Sequence, residues 1–531
     1  MRTLAPGLFF DALADRGTRT RVHLSRPLDI PDDGRTAYGV EDLSRLVTRA
    51  AGWLTALGVT RGDRVAVLKP NHWDYVLLAC AAARIGAVPA LLSGSLPPET
   101  LHLLLKRLDA RALVTTADTL AAAHNAGTDL TACARRTLTL DAPAPGAVPL
   151  ADVRGHRPPT PQRPSVQAPL AIMHTSGTTG VPKLVVHTTA SLVHRIAAAE
   201  ARRWPLVSSR PDDTVAQATS YAHGRGLTWT LSVFALAPRD VVLLDRFEAE
   251  HAEPVLRAHR PTVLEATPAA YVRWQPLAAA PDNPFARVRL FLNTFDAIHP
   301  PTVRAYLAAT RRRLPLWVQV WGQSETGPLT FRCMTRRSVR AAGERHPTTR
   351  DLGRPVPGKT RLRVVDPATL RPVAPGRTGL VMARTKALCA GYVGERERLS
   401  AKSAGGWFAT GDLGVITRSG RLRLLDREVD AVPGGACVEI EDVLHDRLPD
   451  VVEAVVLARP DGIPLPVLVT RDGTLHRDTW RRAVADLPLL GEPALLPLDR
   501  LPLTATGKVR RQELRDRLLD GAPAPGTGRW T

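Results

Sequence analysis

Apolar residues recur at two different spacings over the first 130 positions. Between residues 41 and 58, Leu43, Leu46, Val47, Ala50, Ala51, Leu54 and Leu57 follow at helical intervals, and Gly58 stops the run. Residues 65–68 form a short continuous apolar run that predicts a buried strand. A second apolar helix is predicted at 75–85 and a second strand at 88–92. That rhythm belongs to a parallel sheet covered by helices, so the expected class is α/β. It comprises a large N-terminal domain of helix-covered, mainly parallel sheets with a small β-rich subdomain, and a small α+β C-terminal domain.

Residues 141–168 carry seven prolines and are expected to be a surface connector. Alternation at 361–365 and the stretch 420–426 predict a small β-rich region. Past Arg427 the pattern restarts: helix at 440–447, strand at 452–457, helices near 478–485 and 510–519. The expected division is therefore 1–426, 427–520 as a C-terminal lid, and 521–531, whose Gly- and Pro-rich sequence predicts a loose tail.

Composition narrows the function classes. The formal charge is +20, yet only seven of the 71 basic residues are lysine, and the arginines are spread from end to end. No block of like charge with interleaved aromatics marks a nucleic-acid track, so neither nucleic acid nor a membrane is an expected partner. No run of about 18 uncharged apolar residues occurs, and Asp11, Asp15 and Arg16 interrupt the start where a secretory signal would be apolar. A cytoplasmic protein is expected. Its five cysteines are widely spaced, without the pattern of a structural metal or a disulfide framework.

Residues 174–183, HTSGTTGVPK, follow the apolar segment 170–173. Gly177 and Gly180 permit a tight backbone. Thr175, Ser176, Thr178 and Thr179 offer hydroxyls beside exposed amides, and Lys183 adds a point charge, which together make a phosphate cradle. Residues 353–360, GRPVPGKT, satisfy G-x-x-x-x-G-K-[ST] letter for letter. Pro355 and Pro357 remove amides that such a loop needs, and an alternating strand follows where a helix N-terminus belongs, so this second motif is set aside.

The TSGTTGVPK segment resembles the phosphate loop of the adenylate-forming superfamily: acyl- and aryl-CoA synthetases, peptide-synthetase adenylation domains and luciferase-type enzymes. Further motifs follow in order. Residues 320–327, VWGQSETG, are similar to the YGxTE segment. TGD at 410–412, Asp426-Arg427 and the TATGK of 504–508 resemble the ribose, hinge and terminal-lysine motifs. The likeness covers roughly residues 35–515. It implies ATP and Mg2+ as cofactors, with Glu325 as metal ligand, Asp412 and Arg427 on the ribose, Asn293, Thr294 and Trp321 near the base, and Thr178 and Lys508 as catalytic groups. A flexible ammonium at Lys508 suits bridging an incoming carboxylate and the α-phosphate.

By the same resemblance Tyr221, His223, Arg225 and Gly322 line the acid pocket. Residues 220–227, SYAHGRGL, are nearest to the FAYGLG of benzoate-CoA ligases, which points to a small aromatic acid. For His223 a buried structural role remains equally open. Residues 293–296, NTFD, stand where relatives carry small residues. The tract after Arg427 places Val429 at the usual hinge acid and loses the family's lysine. The principal expectation is an ATP-dependent ligase activating a small aromatic carboxylate as acyl-AMP in secondary metabolism, with CoA or a carrier-protein phosphopantetheine thiol as acceptor. Two alternatives stand beside it: an ATP-dependent diazotase that adenylates nitrite and passes it to an aromatic amine, and a non-catalytic nucleotide or acyl binder.

Overall fold

The computed structural model describes residues 4–31, 33–175, 181–340, 350–427, 437–459, 462–504, 507–520 and 529–530. The chain divides into two compact units. One holds residues 1–265, 324–327 and 386–399, the other 266–323, 328–385 and 400–531.

In the first unit an eight-stranded sheet runs in the order Gly391–Tyr392, Leu184–Thr188, Pro169–His174, Val88–Ser93, Arg64–Lys69, Ala110–Thr115, Ala134–Thr139 and Val148–Pro149. Val88–Ser93 is parallel to both of its neighbours, whereas Leu184–Thr188 turns back antiparallel on Pro169–His174. All six residues of Val88–Ser93 are buried, as a central parallel strand covered on both faces requires. The predicted helices appear as Val40–Ala56 and Asp74–Arg84. Every residue of Asp74–Arg84 is buried, including Asp74. That charge is tolerated because Lys69 Nζ lies 2.8 Å from Asp74 and 2.6 Å from Asp29. A second sheet of this unit orders Thr214–Ala218, Asp240–Leu244, Arg21–Leu24 and Ala37–Gly39. The proline-rich stretch 141–168 contains only Val148–Pro149 and the one-turn helix Leu150–Val153.

The second unit carries strands in the order Thr360–Val365, Gly379–Thr385, Trp407–Ile416, Leu422–Arg427, Asp351–Pro355, Gly327–Met334, Leu316–Gln323 and Leu290–Asn293. Pairing is antiparallel from Thr360–Val365 through to Asp351–Pro355, the β-rich region expected from the alternation, and parallel between Leu290–Asn293 and Leu316–Gln323. Beyond Arg427 a separate cluster of buried apolar residues begins at Cys437 and includes Ile440, Leu444, Leu468 and Trp480. Its elements are the helix Cys437–Arg447, the antiparallel strands Val451–Leu457 and Leu465–Thr470, and the helix Arg477–Val484. The final helix is α-helical over Arg511–Arg515 and widens into a π-helix over Asp516–Asp520. Arg529–Trp530 pairs in parallel with Thr474–Leu475, so at these two residues backbone pairing, invisible in the composition, replaces the expected loose tail. Residues 521–528 and 531 lie outside the described residues.

The motif at 353–360 is a strand, a turn and another strand. Gly353 ends a close approach inside the sheet: its φ is +78°, and a Cβ there would lie 2.0 Å from the Phe331 carbonyl oxygen. Gly358 sits at φ +66° in the turn before Thr360–Val365. The glycines thus serve pairing and turning rather than a phosphate. Gly353→Ala is expected to lower the thermal midpoint of unfolding, whereas Lys359→Ala leaves the Michaelis constant for ATP unchanged. Replacing Thr178 and Thr179 together by alanine is expected to impair turnover. A raised ATP constant in the Lys359 variant, with normal turnover in the threonine variant, would assign the triphosphate to the wrong loop.

Candidate active site

In the first unit the strand Pro169–His174 delivers the chain to the threonine- and glycine-rich loop. Thr175 closes the loop's base: its amide donates to the Lys183 carbonyl at 2.9 Å, and its hydroxyl accepts from the Lys183 amide at 3.0 Å. Ser176, Gly177, Thr178, Thr179 and Gly180 lie outside the described residues. The same strand abuts the helix Gly224–Ala235, where a Cβ on Gly224 would come within 2.3 Å of Met173 Sδ. His223 caps that helix, its Nδ1 accepting from the Arg225 amide at 3.1 Å while Nε2 lies 3.4 Å from Ser324 Oγ.

Glu325 follows in the short segment 324–327. It is buried, at 7% exposure, and its carboxylate accepts from the Tyr392 hydroxyl at 2.9 Å. The Cys389 amide donates to its carbonyl at 2.7 Å, and His187 Nε2 lies 2.7 Å from the Ser324 carbonyl. Burial and the neighbouring carboxylate push the Cys389 thiol up to about 12 and raise the Tyr392 phenol well above its ordinary value. Burial lowers the pKa of the His187 ring. Gly327, at φ +63°, ends the segment where a Cβ would collide with Ile196 Cδ1 at 2.5 Å. A buried carboxylate oxygen held by one hydroxyl is a hard donor of the kind Mg2+ takes, so the residue present fits the ion that the resemblance implies.

Arg225 is enclosed by acids. Its guanidinium makes a two-pronged contact with Glu265, at 2.6 and 2.7 Å, and a third with Glu200 at 2.5 Å. Burial opposes its charge, but the two carboxylates outweigh burial and raise its pKa. One cation facing two carboxylates leaves the cluster with an excess negative charge. Tyr221 is wholly buried and spends its hydroxyl on the Gln217 and Leu244 carbonyls, which leaves it as core rather than as a polar pocket group.

Glu200 and Glu265 escaped the sequence reading. Their signal was present: an arginine at the head of the apolar helix GRGLTWTLSVFA needs a buried counter-charge, and a glutamate within the apolar strand VLEA is the matching oddity.

In the second unit Asp412 is buried at 4% exposure. Gln323 Nε2 donates to its Oδ2 and to the Thr410 carbonyl, both at 2.8 Å. Arg427 pairs with Asp412 in backbone register. Asn293 is fully buried and accepts from Trp317 Nε1 at 2.7 Å, so its amide oxygen braces the sheet instead of facing a base. The following turn is unusual. Phe295 adopts φ +81°, a left-handed backbone in a bulky residue. Among the described residues Thr294 Oγ1 and Gln319 Oε1 are buried without a hydrogen-bond partner. Trp321 packs against the apolar cluster of Leu352, Val364, Val381 and Leu422, and Gly322 is exposed. Lys508 lies in a turn closed by its amide on Thr504 Oγ1 at 3.1 Å and by the Thr504 amide on its carbonyl at 2.8 Å. Gly507, at φ +79°, would drive a Cβ to 2.7 Å from Ala269 Cβ, so glycine is required where this turn meets the 267–270 segment. Residues 428–436, including Val429, lie outside the described residues.

Comparison with known proteins gives a consistent picture. Residues 13–393 match the AMP-binding enzyme family. The chain is 38% identical over 547 residues to 3-amino-2-hydroxy-4-methoxybenzoate diazotase of Streptomyces cremeus, covering 98% of this chain and 97% of that protein. It is 27% identical to 3-hydroxybenzoate--CoA ligase of Aromatoleum sp. (strain CIB), covering 91% and 92%. Among solved structures, a benzoate CoA ligase from Burkholderia xenovorans LB400 superposes with a TM-score of 0.76 at 21% identity, covering 96% of this chain and 99% of that one.

The enclosed arginine makes a stability prediction. Glu265 is 1% exposed at its side chain, so Glu265→Ala removes the two-pronged partner of a buried cation. Because Glu200 still pairs with the guanidinium, chemical denaturation should show a loss of about 1–3 kcal/mol, the cost of the donors left unsatisfied. A loss under 1 kcal/mol would mean that Arg225 is solvated in solution.

Proposed function

The chain belongs to the AMP-binding enzyme family, and on that premise we propose that it is an ATP-dependent diazotase, adenylating nitrite and passing the nitroso group to a small aromatic amine. It is an adenylate-forming ligase, and the choice among acceptors is what the proposal adds. The observation that carries it is the 38% identity to a diazotase with nearly complete mutual coverage, against 27% to a hydroxybenzoate-CoA ligase. Two features support it. The tract after Arg427 lacks the lysine and hinge acid that accompany thiol delivery in relatives. The Arg225 guanidinium is also neutralised in place, which favours an amine-bearing ring over a second carboxylate in its surroundings.

In the first step an oxygen of nitrite attacks the α-phosphorus and pyrophosphate leaves. Lys508 is assigned to stabilise the charge developing there, with Thr178 and Thr175 in the phosphate loop and Asp412 accepting from the ribose hydroxyls. Mg2+, when bound through Glu325, would neutralise phosphate charge. Tyr392 and the Cys389 amide hold that glutamate in one orientation. In the second step the aryl amine nitrogen attacks the nitroso nitrogen, AMP departs, and a proton is lost. Tautomerisation, protonation and loss of water then give the diazonium ion.

A second reading keeps the same first half-reaction with a small aromatic carboxylate, and CoA or a carrier-protein thiol as acceptor. The benzoate-ligase-like SYAHGRGL segment and the likeness to a hydroxybenzoate-CoA ligase favour it.

Two outcomes follow. Lys508→Ala should slow pyrophosphate release on the order of 10²- to 10³-fold while ATP binding is kept. Wild-type release would remove Lys508 from the site. With saturating ATP, AMP release should be fast with nitrite plus an aminobenzoate, and CoA should accelerate release little with any aromatic acid. Rapid CoA-dependent aryl-CoA formation without a nitrite-dependent reaction would instead establish the second reading.

A further inference from the structure

A buried group of titratable side chains contains none of the residues assigned above. His299 caps the helix Pro300–Ala309. Asp442 and His445 stand three residues apart on the helix Cys437–Arg447, and Glu453 lies on the strand Val451–Leu457. His299 and His445 are 8% and 6% exposed, and Asp442 is fully buried. His299 Nδ1 lies 3.0 Å from Asp442 Oδ1, while its Nε2 lies 3.4 Å from Glu453 Oε1. His445 Nε2 is 3.8 Å from the same Glu453 oxygen, beyond hydrogen-bond distance, and has no hydrogen-bond partner among the described residues. One potential ligand atom from each of His299, His445 and Glu453 lies within 4.8 Å of the others.

We propose that His299, His445 and Glu453 form a binding site for one divalent transition-metal ion of the zinc class, with Asp442 orienting the His299 ring. Three donors at the usual zinc distances of about 2.0–2.2 Å, spread at tetrahedral angles, lie roughly 3.4 Å apart, close to the 3.4 and 3.8 Å separations of the two imidazoles from Glu453 Oε1. Two imidazole nitrogens and one carboxylate select zinc, cobalt or nickel over magnesium and calcium, which prefer all-oxygen shells. The Asp442–His299 contact is the carboxylate–histidine pairing that holds metal-bound imidazoles in one tautomer. His445 supplies the independent sign: its buried Nε2 lies 3.8 Å from Glu453 Oε1 and makes no hydrogen bond among the described residues.

Two features set what binding must do. The rings of His299 and His445 are stacked, with centroids 3.6 Å apart and 24° between planes, so a shared ion requires the His445 ring to turn outward. An ion held by His299 Nε2 and Glu453 would stand in place of the 3.4 Å contact between them. The ion would tie the start of the helix Pro300–Ala309 to the elements that also anchor the last helix, where Arg511 bonds Glu441 and the Val456 carbonyl.

The test uses the full chain, stripped with chelator and free of nucleotide, titrated with zinc alone by equilibrium dialysis and followed by thermal unfolding. About one equivalent per chain should bind, the unfolding midpoint should rise, and magnesium should neither bind there nor compete. His445→Gln, which keeps volume, and Glu453→Gln should each weaken binding by about tenfold or more and abolish the midpoint shift. The proposal is overturned if the wild-type chain shows no saturable zinc binding, or if His445→Gln binds zinc as tightly as wild type.

Discussion

The placement of Glu325 depends on a pair of hydrogen bonds that fasten one short loop to another. The Cys389 amide holds the backbone of residue 325 and the Tyr392 hydroxyl holds its carboxylate, while His187 lies 2.7 Å from the carbonyl just before it. Gly391–Tyr392 is itself the edge strand of the eight-stranded sheet, paired antiparallel with Leu184–Thr188, directly after the phosphate loop. The carboxylate that would hold Mg2+ and the base of the loop that would hold phosphate are thus registered through one strand. The segment 324–327 is only four residues long, and a Cβ on Gly327 would collide with Ile196 where it ends.

Charge pairing governs the neighbouring cluster in the same way. A lone buried guanidinium would pull any ligand carboxylate toward it; Glu200 and Glu265 remove that pull and leave a small excess of negative charge. The Arg225 guanidinium is thus already satisfied in hydrogen bonds within the fold.

Much of the fold was legible because burial imposes a period. The helix expected at 41–58 is Val40–Ala56 and the strand expected at 65–68 is Arg64–Lys69, each within two residues. A covered parallel strand can tolerate almost no polar residue, and an amphipathic helix must repeat its apolar stripe. Legibility failed where structure rests on backbone pairing or on partners distant in sequence. Arg529–Trp530 pairs through main-chain groups that have no compositional signature. The contact between Trp317 and Asn293, which turns a residue expected near the base into a brace of the sheet, joins two strands 24 positions apart. Trp321 likewise packs into an apolar cluster, as a large indole on a partly buried strand does.

The sequence by itself determined the α/β class, the ordered motifs of the family, and the rejection of the GRPVPGKT segment, because proline, glycine and apolar periodicity act locally and their consequences can be read residue by residue. Only the tertiary structure decided which charges are spent. Arg225 is consumed by Glu200 and Glu265, Glu325 is held by Tyr392, and His299 is drawn to Asp442 and Glu453. Such pairings join residues up to 154 positions apart. Their strength depends on distance and burial, quantities that folding sets and that no local pattern encodes.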